Sequence, residues 1–312
     1  MPVHPFIANL SGLKGTRCGT FAAMSATEAF YPHPVQRTTL PDSTPLAYID
    51  EGSGDQTLLF IHGLSGNLLS WHKNFDVLSK KHRCIAIDLP GNGLSGNSPT
   101  GNYSLTYFAN CLLHFIGSKG LKNVTLIGHS MGAQIAILAA LEAPTAIHKL
   151  VLISPAGLET FNAWEQATAQ ATFFLMDFWQ RPEDAMRGFY EQAFHRMPQA
   201  SRRMLETCLQ DYQRHGDAAY RKMLTQCISG MFQTPVHNQL SSVQQPTLIL
   251  FGDSDALVPN RLWHPQLSQK SLAASAVKRL PKGQYAIFPQ SGHFVHWESA
   301  DQTNDAIASF VR

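Results

Sequence analysis

From residue 35 onward, short and nearly continuous apolar runs alternate with longer stretches of helical period. TLLFIHG (57–63), CIAIDLPG (84–91), NVTLIGHS (123–130), KLVLISPAG (149–157) and PTLILFGD (246–253) are the apolar runs. Such runs fit strands covered on both faces, as in a parallel sheet flanked by helices. The stretches 68–80, 104–119, 131–142 and 260–274 carry helical spacing. Residues 284–293 read as a last strand, 298–311 as a closing helix, and 35–52 as one or two leading antiparallel strands. Strand and helix in this rhythm predict an α/β fold, a doubly wound and mostly parallel sheet.

One stretch breaks the rhythm. Residues 158–240 show no convincing strand, only helical pattern punctuated by Pro182, Pro198, Gly216 and Gly230. The stretch is rich in large apolar side chains, among them Trp164, Phe173, Phe174, Leu175, Met176, Phe178, Trp179, Phe189, Phe194, Met197 and Met204. It reads as a helical cap, or lid, inserted over the C-terminal edge of the sheet. Most of these side chains are expected to pack, and a minority to line a pocket for an apolar ligand. The core is then 35–157 together with 241–312. Residues 1–34 read as an N-terminal extension with poor order expected. Met24 offers an alternative start, and the sequence leaves open whether residues 1–23 belong to the protein.

Composition narrows the function. A formal charge of +2, without any basic stripe, gives no sign of a nucleic-acid partner. No window approaches the roughly 18 apolar residues of a membrane span, and the N-terminus lacks the pattern of a signal peptide. Cys18, Cys84, Cys111, Cys208 and Cys227 are scattered and odd in number, so they form no disulfide framework. A reducing, cytoplasmic location is expected.

The chemistry concentrates at Gly128-His129-Ser130-Met131-Gly132, which directly follows the run VTLI and directly precedes the helical stretch MGAQIAILAALEA. A serine at such a strand-to-helix turn holds its hydroxyl out above the sheet edge, and side chains at either glycine would crowd the turn. The helix beyond it presents free N–H groups to an oxyanion. A nucleophilic serine needs a base. Candidate partners follow in the order acid, histidine: Asp253 and Asp255 after the run TLILFG, then His293 after QYAIF. Both loops leave C-terminal strand ends, where doubly wound sheets place ligands. Gly292 beside it favours His293 over His296, and Asp255 sits deeper in its loop than Asp253; spacing alone separates the two carboxylates only modestly.

From about residue 35 to 312 the chain resembles the α/β-hydrolase superfamily, through HGLSG (62–66), DLPGNGLS (88–95), GHSMG (128–132), GDSDALVP (252–259) and SGHFVHWE (291–298). The resemblance implies a triad of Ser130, Asp255 and His293, the acid being the fourth position of the G-x-x-D-x-x-V-P loop. It also implies an oxyanion hole made of the Leu64 and Met131 backbone N–H groups, each such donor contributing roughly 3 to 4 kcal/mol to the transition state. It implies no metal and no organic cofactor. His62 and His129 are expected to shape loops, and His293 with His296 lack a third metal ligand nearby.

Gly91-Asn92-Gly93-Leu94-Ser95-Gly96 matches a dinucleotide-binding loop. Pro99 and Gly101 follow at once, however, and no Asp or Glu occurs between Asp88 and Glu142, so the ribose-binding acid is missing.

The expected reaction is hydrolysis of a carboxylic ester of an apolar, small-to-medium substrate through an acyl-enzyme on Ser130. The alternative is hydrolytic carbon–carbon cleavage of a vinylogous diketone acid. Its enzymes share a tail like GHFVHWESAD, but commonly carry a glycine-rich run after the H-G pair and often asparagine at the position of His129. Arg181 or Arg187 would have to bind the substrate carboxylate. A haloperoxidase-like reaction uses the same triad. A non-catalytic ligand-binding protein on this fold is the reading from another class, set against the retention of all three side chains. Epoxide hydrolases and dehalogenases attack with aspartate, where this chain has Ser130. The natural substrate, its chain length and the oligomeric state are not written in the sequence.

Overall fold

The computed structural model describes residues 31–175 and 182–312. The apolar runs become the middle of a mixed sheet of eight strands among these residues: β1 (Gln36–Thr39), β2 (Pro45–Glu51), β3 (Thr57–Ile61), β4 (Arg83–Ile87), β5 (Val124–His129), β6 (Ile147–Ile153), β7 (Thr247–Gly252) and β8 (Gly283–Phe288). The spatial order is β1-β2-β4-β3-β5-β6-β7-β8. β2 pairs antiparallel with β1 and β4, while the neighbours from β4 to β8 run parallel.

Every residue of β3, β5 and β7 is buried, because helices cover both faces. Alternation then divides each strand between two cores. Leu59, Ile61, Leu126, Ile249 and Phe251 lie in the core they share with α2 (Leu105–Ser118) and α3 (Met131–Glu142). Leu58, Phe60, Ile127, Leu248 and Leu250 face the other side, where α1 (His72–Leu78) packs on the C-terminal helix Ala300–Val311. Helix α3 is apolar nearly all round and almost wholly buried, as suits the helix that follows the central strand.

Between β6 and β7 the chain leaves the sheet and forms α4 (Ala163–Leu175), α5 (Pro182–Ala193), α6 (Ser201–His215) and α7 (Asp217–Gln233). A helical insertion is expected here, and its described helices run from Ala163 to Gln233. Phe194 and Met204 pack in the main core, whereas Trp164 is 66% exposed and meets Trp263 edge-on. The expectations for Met176, Phe178, Trp179 and Arg181 fall outside the described residues, as do those for residues 1–30 with Cys18 and Met24. Tyr31, the first described residue, is buried.

Several boundaries differ from the sequence expectation. The helix expected over 260–274 is α8 (Gln269–Arg279) instead. Pro265 interrupts the early part, and Ser268 starts the helix through a reciprocal capping box with Ser271. Leu68–Trp71 is a turn of 3-10 helix before α1 rather than α-helix. β6 stops at Ile153 and β8 at Phe288, leaving the residues beyond as loops. The closing helix is divided by Ser299 into α9 (Val295–Glu298) and α10 (Ala300–Val311).

Cys84, Cys111, Cys208 and Cys227 are free and buried, and burial pushes their thiols up. Among the described residues no helix is long and apolar enough to cross a membrane.

Candidate active site

Ser130 sits between β5 and α3 with φ 52° and ψ −117°, a left-handed backbone that a residue with a Cβ adopts only under strain. Backbone hydrogen bonds hold it there. Ser130 N–H donates to Ile153 O at 2.9 Å, while Ser130 O accepts from Ala133 N at 3.0 Å and Ala156 N at 3.2 Å. The flanking glycines are a steric necessity. A Cβ on Gly128 would lie 2.4 Å from Gly132 O, and one on Gly132 would lie 2.3 Å from Ile61 O.

The loop after β3 runs against this turn, since a Cβ on Gly63 would lie 3.1 Å from Ser130 Cβ. His62 fixes the loop: Nδ1 donates to Gly63 O at 2.8 Å and Nε2 accepts from Leu89 N at 3.0 Å. That bonding needs the neutral ring, and burial pulls its pKa down to about 4. Leu64, next in the chain, lines the same cavity as Ser130. Among the described residues no acceptor is bonded to the Leu64 or Met131 N–H.

The two remaining loops meet behind the serine. His293 Nδ1 donates to Asp255 Oδ2 at 2.9 Å, and both side chains are buried. Asp255 Oδ1 accepts from Leu257 N at 2.8 Å and Val258 N at 3.0 Å, so the carboxylate is fully bonded and aimed at the ring. Asp253 is exposed and does something else: its Oδ1 caps the turn by accepting from Gln290 N and Ser254 Oγ. The two carboxylates that spacing left nearly equal are therefore separated by geometry. His293 lines the cavity with Ser130. His296 lies beneath it, wholly buried against Trp71 and His129, with its pKa lowered to about 3 by burial. His129, likewise buried and held neutral, donates from Nε2 to His293 O at 3.1 Å.

The insertion completes the site. His293 N–H donates to Ala193 O at the end of α5, 2.7 Å away. Glu298 accepts from Gly292 N at 2.7 Å, Arg196 N at 2.8 Å and His195 N at 3.2 Å, tying the histidine loop to the chain after α5. Sequence reasoning passed over Glu298 except as part of a tail motif. It also missed Gln269, whose Nε2 donates to Asp255 O at 2.6 Å, and Glu159. Nothing local marks Gln269 or Glu159; only the fold brings them in.

Together the core and insertion line an open cavity of about 760 Å³. Phe161, Phe189, Ile228, Met231, Phe232, Leu257 and Val258 give it apolar walls; Glu159, Asp184, Gln192 and Asn260 are its polar groups besides Ser130 and His293. No lysine or arginine is among the described lining residues, and Arg187 is exposed elsewhere on α5. The G-x-G-x-x-G stretch is a loop wrapped around Asp88, which accepts from Leu68 N and Leu94 N at 2.7 Å each. It opens no helix; α2 starts only at Leu105.

The site can therefore hold an apolar carbonyl compound against a hydroxyl, a carboxylate-bound imidazole and two free amides. Comparison with known proteins bears on the fold. The 29% identical dihydrolipoyllysine-residue acetyltransferase component of the acetoin cleaving system of Pseudomonas putida aligns over 266 residues, 84% of this chain; the chain spans 65% of that protein's length. A 2-hydroxy-6-oxononadienedioate/2-hydroxy-6-oxononatrienedioate hydrolase of Burkholderia vietnamiensis is 23% identical over 273 residues, covering 85% of this chain and 90% of that one. An esterase from Exiguobacterium antarcticum superposes with a TM-score of 0.74 at 22% identity, over 88% of this chain and 98% of its own, a likeness of fold. The family model for the alpha/beta hydrolase fold matches residues 56–300. The chain belongs to the α/β-hydrolase fold family.

Proposed function

We propose that this hydrolase cleaves a carboxylic ester of an apolar, small-to-medium substrate through an acyl-enzyme on Ser130. The observation that carries the reading is the His293–Asp255 hydrogen bond of 2.9 Å, placed so that the ring shares a cavity wall with Ser130. With Nδ1 engaged, Nε2 is the nitrogen left to take the serine proton. Asp255 fixes that tautomer and stabilises the imidazolium as attack proceeds. The carbonyl oxygen, becoming an oxyanion, is received by the N–H groups of Leu64 and Met131. His293 then protonates the leaving alcohol, and later takes a proton from the water that frees the acyl group. The insertion walls the cavity with aromatic and aliphatic side chains, which limits water and selects apolar groups.

A second reading, carbon–carbon cleavage of a vinylogous diketone acid, draws support from the similarity to the oxononadienedioate hydrolase. Against it stands the charge of the cavity. Glu159 and Asp184 line it, and a substrate carboxylate finds no described lysine or arginine there. The deciding experiment runs the purified enzyme, with Ser130→Ala as control, on short- and medium-chain activated esters beside a dienoic ring-cleavage product. The proposal expects ester turnover that the substitution abolishes. Turnover of the dienoic acid alone would favour the second reading, and no turnover of either would return the chain to the non-catalytic class.

A further inference from the structure

The substrate cavity contains a carboxylate that the proposed acyl transfer does not use. Glu159, on the loop between β6 and α4, is only 7% exposed, yet it forms part of the cavity wall. Burial of a carboxylate costs several kcal/mol unless bonding offsets it. Here the offset is one-sided. Oε1 accepts both Asn260 N at 2.8 Å and His264 Nδ1 at 2.8 Å, and among the described residues no donor is bonded to Oε2. His264 is itself held between acids, with Glu165 Oε2 at 4.0 Å from its other nitrogen. The ring of Phe161 lies on His264 at 4.9 Å and meets Phe232 at 5.1 Å, and both phenyl rings line the cavity. A carboxylate with a spare oxygen thus shares the cavity lining with two aromatic side chains, and the other described carboxylate there is that of Asp184.

We propose that Glu159 is a specificity-determining residue, its free oxygen forming a subsite for a hydrogen-bond donor on the substrate, either a hydroxyl or an ammonium group. This rests on the reading of the cavity as the ester-binding site and narrows its substrate class. The favoured substrate is an ester that is apolar near the carbonyl and carries a donor farther along, and one ending in a carboxylate is rejected. The donor hydrogen-bonds Oε2 in place of water, and an ammonium also gains from the aromatic faces. A carboxylate in that position would meet the like charge of Glu159, and Asp184 lines the same cavity. Sites built to bond a polar group discriminate strongly against analogues that lack it, because the site's own polar atom is then left unpaired.

The test uses the full chain with Ser130→Ala to block turnover, and calorimetric binding of methyl hexanoate, its ω-hydroxy and ω-amino derivatives, and monomethyl adipate. The ω-hydroxy and ω-amino esters are expected to bind about tenfold or more tighter than methyl hexanoate, the range of a charge-assisted hydrogen bond, and monomethyl adipate about tenfold weaker. Adding Glu159→Gln should remove most of the ω-amino advantage and of the penalty on monomethyl adipate, while Glu159→Asp retains the order. A bracing role alone would instead weaken all four ligands alike. Equal binding of the four esters, or tighter binding of monomethyl adipate, would overturn the proposal without any mutation at Glu159, so a variant that misfolds leaves the test intact. Turnover of methyl hexanoate by the enzyme with Ser130 restored reports separately on the hydrolase reading.

Discussion

Asn67 Nδ2 donates to Asp211 Oδ2 at 2.8 Å, joining the loop after β3 to helix α6 of the insertion. Both side chains are buried. Asn67 closes the loop that carries Leu64, and its own Oδ1 accepts from Leu69 N at 3.1 Å. Tyr190 of α5 adds a second brace, donating its hydroxyl to Ser65 O at 3.3 Å. The insertion therefore bears on the candidate oxyanion loop as well as roofing the cavity.

Asp211→Ala is expected to lower stability by about 2 kcal/mol, the scale of a lost hydrogen bond to a charged group that strands its partner. If the brace positions the Leu64 amide, kcat falls about tenfold with little change in KM, since an oxyanion donor acts in the transition state. Urea unfolding and steady-state ester kinetics measure the two effects. An unchanged kcat in the folded variant would confine the bond to stability.

Asp255 and Asp253 stand two residues apart but face different ways. Asp255→Asn should reduce kcat by about 10³- to 10⁴-fold, because the amide no longer fixes the histidine tautomer or its charge. Asp253→Asn, at an exposed turn, should change activity by less than about threefold and stability by less than about 0.5 kcal/mol. Initial rates on one activated ester, with unfolding curves as control, decide the ranking.

The pH dependence of stability follows from groups buried away from their ordinary charge states. Burial lowers His62 from 6.5 to about 4 and His296 to about 3, and lowers His129 well below 6.5. Between those values and 6.5 the unfolded chain binds more protons, so acid favours unfolding. Asp88, raised from 3.8 to about 8, and Asp211, raised to about 6, act oppositely, and their contribution is lost as pH rises. His82, His215 and His237 are lowered as well, and Glu159 is raised, so below 6.5 the histidines outnumber the acids, and above it Asp88 remains. Stability is expected to be greatest between about pH 6 and 7 and to fall on both sides. Urea midpoints across pH 4 to 9 test this, and His296→Phe should make the acid arm shallower.

What the sequence revealed and what it concealed have physical causes. The turn at Ser130 was legible because its backbone admits only glycine at 128 and 132, so geometry is written as residue type. The buried strands were legible because covering both faces demands unbroken apolar runs. Helix α8 was misjudged by nine residues at its start, because helical spacing over 260–268 outweighed the signals of Pro265 and Ser268. The choice between Asp253 and Asp255 needed coordinates, since both precede the same turn. The braces between insertion and core were invisible: Asn67 and Asp211 are 144 positions apart, and Glu298 reaches back 102 to Arg196. No local period records such a pairing. Glu159 was passed over for the same reason.

The most direct measurement is covalent. Incubation with an alkyl phosphonofluoridate, which acylation-type serine nucleophiles attack, followed by intact-mass and peptide analysis, reads the nucleophile itself. One phosphonyl group is expected per chain, on the peptide containing Gly128-His129-Ser130-Met131-Gly132, with none on Ser130→Ala. Labelling at another residue, or an enzyme left unlabelled while it still turns over esters, would contradict the account.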